Sequence, residues 1–177
     1  AVGVAAVGYN PVACCAREDA EALRGACEGE VTLDEVNPLA YRVPAAPMAA
    51  VMIENVPLDW DAMLAGARVL RERFPMVLAE GVGGWKVPCT ARKTMADLAV
   101  EIGWPVIVVV DNRLGALNHT LLTLESIASH GLSCAGLILN QPEEERDAAS
   151  ISNTAVLSQL VEVPILAEIM YDQDELE

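Results

Sequence analysis

The 177 residues carry 26 acidic and 11 basic side chains, a formal charge of −15 and a pI near 4.4, which argues against a nucleic-acid backbone or an anionic membrane as partner. Hydrophobic residues reach 53% and aromatics only 4%, so the core is expected to be Ala, Val, Leu and Ile. One domain over residues 1–177 of the α/β layer type, with buried parallel strands, fits that mix.

In chain order, "VAAVGYNPVAC" (4–14) reads as a strand that ends at Pro11 and passes into a loop, and "REDAEALRGAC" (17–27) as a short helix with an acidic first turn. Residues 37–59 hold four prolines, which predicts a long loop containing one short helix. Trp60, Met63, Leu64, Ala67, Leu70 and Phe74 recur at helical spacing, predicting a helix over 59–74. A strand over 76–80 and a helix over 94–103 follow. "PVIVVVD" (105–111) is apolar at every position up to Asp111, as a strand buried on both faces should be. A helix over 118–131, a strand over 134–140, a helix over 151–162 and a strand over 164–169 complete the alternation. Such alternation with short links gives a parallel, helix-covered sheet. Five cysteines with no CxxC, and only two histidines, fit free thiols better than a disulfide scaffold or a zinc site. Adjacent Cys14 and Cys15 are read as ordinary thiols, since neighbours rarely reach disulfide geometry. Neither a leader nor an apolar run long enough to span a membrane is expected.

In an open parallel sheet, ligands sit beyond the carboxyl ends of the strands, and the polar residues Asn10, Glu80, Asp111, Asn112 and Asn140 fall at those ends. Glu80 is followed by Gly81, Gly83 and Gly84. Glycines let backbone amides approach an anion, and one or two carboxylates beside phosphate oxygens suit Mg²⁺. A tight turn with a solvated Glu fits the same letters equally well. Gly115 closes a turn before the next helix, so the amides of Ala116, Leu117 and Asn118 would face out of a helix N-terminus, ready for a carboxylate or phosphate. His119 beside them could be a ligand or base, but fits a capping or packing role better.

The strings "NPVACCAREDAEAL", "NPLAYRVPAAPMAA", "EGVGGW" and "LGALNHTLLT", with "GLILN" after them, resemble the dethiobiotin synthetase family over nearly the whole chain. The resemblance implies a P-loop NTPase-like α/β fold, a parallel sheet covered by helices on both faces, and a cytoplasmic homodimer. It also implies a reaction in which ATP, Mg²⁺ and CO₂ close a ureido ring on 7,8-diaminopelargonic acid, with no protein nucleophile. By position, Asp19 and Glu80 match the magnesium carboxylates, and Gly83 and Gly84 the phosphate-side loop. Asn140 matches the residue that reads the adenine edge. Ala116, Leu117 and Asn118 match the helix N-terminus that receives the substrate carboxylate across the dimer interface. Pro44 and Pro47 lie in the loop over the substrate.

Several letters depart from that pattern. The family's lysine before Pro-Val is Asn10 here, its serine a few residues on is Cys14, and a glycine is Cys15. "AEIMYDQ" stands where the family has Ile-Pro beside adenine. The family's Gly-Lys-Thr loop and the strand before it do not occur in the 177 residues. The readings are a fragment of an active parent, a degenerate relative serving as a binding or dimeric scaffold protein, or a missing strand supplied by another chain. The parent activity is favoured, with little ATP-dependent turnover expected from the 177 residues alone.

Overall fold

The computed structural model describes residues 5–27 and 29–173. Two compact units divide the chain, Ala1–Ile102 and Gly103–Glu177.

In the first unit, β1 (Ala6–Tyr9) pairs in parallel with β4 (Met76–Ala79), and β2 (Val12–Cys14) with β3 (Leu39–Tyr41). The helices are α1 (Glu18–Gly25), α2 (Leu33–Val36), α3 (Pro47–Glu54), α4 (Trp60–Arg73) and α5 (Met95–Ile102). Its core gathers Val12 and Tyr41 from the short ladder, Ala50 of α3, Met63 and Leu64 of α4, and Met95 and Leu98 of α5, with Cys89 among them. The strand expected up to Pro11 is β1, and the loop expected after it is the strand β2; Val4 lies outside the described residues. Pro11, which has no amide to give to a ladder, separates β1 from β2. β3 and α2 were not expected. The first is three residues long and the second four, too short to show a period. α2 begins on a capping box: the Thr32 hydroxyl accepts from the Glu35 amide at 3.2 Å, and the Glu35 carboxylate accepts from the Thr32 amide at 2.7 Å. The helix inside the proline-rich segment starts with Pro47 at its first position, where a missing amide costs nothing.

In the second unit, β5 (Val106–Asp111), β6 (Cys134–Asn140) and β7 (Ile165–Ile169) form a parallel sheet in that order. α6 (Ala116–Ser129) and α7 (Ala148–Leu160) connect them. Val110, Leu137 and Leu139 pack with Ala116 of α6 and Leu157 of α7. The β6 bounds agree with expectation, while α6 starts two residues and α7 three residues earlier than expected. For α7 the reason is local: Asp147 caps it, accepting from the Ser150 amide at 2.7 Å. The "PVIVVVD" strand lies at the edge of this sheet rather than inside it, and its alternate residues Ile107 and Val109 are exposed.

Candidate functional site

In the first unit, the parallel ladder sets the tips of β1 and β4 side by side. Tyr9 faces Ala79 in register, and the Glu80 amide donates to the Tyr9 carbonyl at 2.8 Å. Glu80 therefore leaves the sheet beside Asn10. Asp19 stands exposed in the first turn of α1. Partial desolvation, then the negative charge of Asp19, raise the Glu80 carboxyl above its ordinary range. A carboxylate whose charge is disfavoured by a neighbouring negative charge gains from a cation placed beside it. Among the described residues there is no group of three or more His, Cys, Asp or Glu side chains placed to hold a metal. The pair fits Mg²⁺, which keeps waters and takes its remaining oxygens from phosphate. The same pair would suit zinc or a transition metal poorly.

The turn after Glu80 is held from α5. The Trp85 carbonyl accepts from Ala96 at 2.9 Å and the Val87 carbonyl from Met95 at 3.0 Å. These bonds satisfy amides that the helix start leaves open. Gly83 and Gly84 remain exposed, and Gly83 sits at φ +66°.

Asn10 is buried, and its side chain does not point freely into a site. The Asn37 Nδ2 donates to the Asn10 carbonyl at 2.8 Å and to the Asn10 Oδ1 at 3.3 Å. The Arg17 Nε in turn donates to the Asn37 Oδ1 at 2.8 Å, and the Arg17 Nη1 pairs with Asp34 at 2.9 Å. Sequence reading passed over Asn37 and Arg17. A polar residue inside "EVNPLA" was the only available signal. Cys14 is half-buried, and burial, then the charge of Glu54, push its thiol up. It is accordingly a neutral thiol and a poor nucleophile. The Glu54 carboxylate accepts from the Arg42 amide at 2.6 Å and the Val43 amide at 2.9 Å. That carboxylate anchors the loop in which Pro44 is exposed, ahead of buried Pro47.

In the second unit, the Asn112 amide donates to the Asn140 carbonyl at 2.8 Å and the Gln141 amide to the Ile169 carbonyl at 2.8 Å, tying the three strand tips together. The Asn140 carboxamide makes no hydrogen bond among the described residues. α6 starts from Gly115 at φ +96° with no side-chain cap. The Ala116 amide turns back to the Arg113 carbonyl at 3.1 Å, while those of Leu117 and Asn118 take no acceptor among the described residues. No acidic residue stands in that first turn to compete for an anion. His119 is exposed, and its amide makes the first helical bond, to Gly115 at 3.2 Å.

Parallel ladders joined through helices, with polar groups gathered at carboxyl-end strand tips, define an α/β protein of the P-loop NTPase-like class, and the "AAA domain" family model matches residues 6–174. Among similar proteins, the ATP-dependent dethiobiotin synthetase BioD of Akkermansia muciniphila is 38% identical over 175 residues, covering 99% of this chain and 82% of the relative. That of Anaeromyxobacter dehalogenans is 38% identical over 178 residues, 98% of this chain and 80% of the relative. That of Aromatoleum aromaticum is 39% identical over 175 residues, 94% and 77%. The chain belongs to the dethiobiotin synthetase family.

Proposed function

We propose that this protein acts as an ATP-dependent dethiobiotin synthetase, residues 1–177 forming one working domain of a cytoplasmic homodimer. The observation that carries the proposal is Glu80, which leaves the tip of β4 into a glycine turn with the negative charge of Asp19, from α1, acting on it. One amine of 7,8-diaminopelargonic acid adds to CO₂ and loses a proton, giving a carbamate. The carbamate oxygen takes the γ-phosphoryl group, and the second amine then displaces phosphate and closes the ureido ring, with ADP and phosphate as the other products. Bound Mg²⁺-ATP supplies the phosphoryl group and the positive charge that its transfer requires.

The chain's own residues hold and orient. Asp19 and Glu80 would hold the metal, and exposed Gly83 and Gly84 leave room on the phosphate side. The unbonded carboxamide of Asn140 reads the adenine edge. The open amides of Leu117 and Asn118, next to that of Ala116, receive the substrate carboxylate from a partner subunit's site. Pro44 and Pro47 shape the loop over the diamine, fixed by Glu54. Asn10 stands where the family has a lysine but is held inside by Asn37, and half-buried Cys14 is a neutral thiol, so less positive charge faces the carbamate than a lysine would give. With no nucleophile of its own in play, the protein works by placing an amine, a carbamate and a phosphate in line.

Calorimetric titration with 7,8-diaminopelargonic acid tests the proposal. Saturable binding of the diamine, weakened when a monoamine of the same length replaces it, is expected. Absence of diamine binding overturns the reading.

A further inference from the structure

Asn112 and Asn153 are each 2% exposed, as is Ser150 beside them. The Asn112 Nδ2 donates to the Ser150 carbonyl at 3.0 Å. The Asn153 Nδ2 donates to the Asn112 Oδ1 at 2.9 Å and to the Arg113 carbonyl at 3.2 Å. That carbonyl also accepts the amide of Ala116, the first residue of α6. Two side chains, one after β5 and one on α7, thus grip the turn that launches α6.

A buried amide pair is a poor choice if packing is all that is needed, because each amide is desolvated and an apolar pair of similar shape packs as well. What the amides add is direction: they fix which way the Arg113 carbonyl points. α6 needs such help, since Gly115 offers no side chain to cap it and Leu114 in the same turn is exposed. We propose that Asn112 and Asn153 are positioning residues that aim the open amides of Leu117 and Asn118 at a ligand carboxylate. The inference rests on the reading of α6 as the carboxylate subsite. Through the Asn112 amide, the same turn is bonded to the Asn140 carbonyl, so the two subsites of this unit share one rigid support.

The test compares two ligands by calorimetry, 7,8-diaminopelargonic acid and the same diamine lacking its carboxylate, on the full chain. The variants are Asn153→Leu and the double Asn112→Leu/Asn153→Leu, with Asn153→Gln, which keeps the donor, as the rescue. The wild-type chain should prefer the carboxylate-bearing ligand. The leucine variants should lose roughly tenfold of that preference, the size of one charge-assisted hydrogen bond, with affinity for the carboxylate-free diamine unchanged. Asn153→Gln should recover part of it. If both ligands weaken together, or the preference survives in the folded double variant, the pair is structural only and the inference fails. If the wild-type chain binds the diamine without any preference, the carboxylate subsite itself is wrong and the inference falls with it. If the wild-type chain binds neither ligand, the functional reading fails first.

Discussion

Gly83 and Gly84 are adjacent, equally exposed and alike in sequence, yet alanine at the two positions should behave differently. At Gly83, φ is +66°, and an added β-carbon would come within 2.9 Å of the Val87 Cγ2. The left-handed backbone costs a residue with a β-carbon about 1–2 kcal/mol. Val87 must also move, and its backbone is held by bonds to Gly84 and Met95, which adds about 1 kcal/mol. The stiffer unfolded chain returns about 0.4–1 kcal/mol. The net loss for Gly83→Ala is about 1–3 kcal/mol. At Gly84 no heavy atom lies within 4 Å of the added carbon and the backbone is not left-handed, so Gly84→Ala should be neutral or gain up to about 1 kcal/mol. Urea unfolding followed by circular dichroism separates the two: the Gly83→Ala midpoint should fall by roughly 1 M for a typical slope of about 2 kcal/mol/M. Adding Mg²⁺ should raise the Gly84→Ala midpoint as it does the wild type and raise that of Gly83→Ala less, because the strained turn begins at Glu80. Equal midpoints for the two variants would refute the argument from backbone angle and Val87 contact.

Glu80→Gln tests the carboxylate pair through pH. The folded state holds Glu80 above its ordinary value of 4.5, first by desolvation and then by Asp19, so the charged form is disfavoured on folding. Stability should therefore decline as pH climbs from 4.5 through the raised value. Glu80→Gln should remove that decline in metal-free protein while abolishing stabilisation by Mg²⁺, both read from thermal melts. Asp147→Ala should lower the melting temperature by uncapping α7. Because bonds from the Ser150 amide first of all hold the Asp147 carboxyl below its ordinary value of 3.8, the difference from wild type should be present above that value and vanish as pH falls through the lowered one. Leu137→Ala, at a fully buried position under α7, should cost about 2–5 kcal/mol in urea unfolding by opening a cavity. A loss under 1 kcal/mol would mean that the second unit's core is not where the structure places it.

The sequence by itself determined the alternation of strands and helices, since runs such as "PVIVVVD" and the spacing of Trp60, Met63, Leu64, Ala67 and Leu70 are local signals that each element carries whole. Glu80 beside glycines and the open amides after Gly115 were legible for the same reason: a strand tip and a helix start advertise their chemistry in neighbouring letters. Tertiary structure alone decided what depends on distant partners. β2 and β3 exist because Val12 meets Leu39 in register, and three residues cannot announce a strand without the neighbour that pairs them. Asn10 reads as a site residue in the chain, but Asn37, from 27 positions away, bonds to it in the interior. Asn112 and Asn153 lie 41 residues apart and look like ordinary polar letters, one after a strand and one on a helix. Only the packing of α7 against the end of β5 makes them a pair, because burial turns two common amides into groups that must find each other.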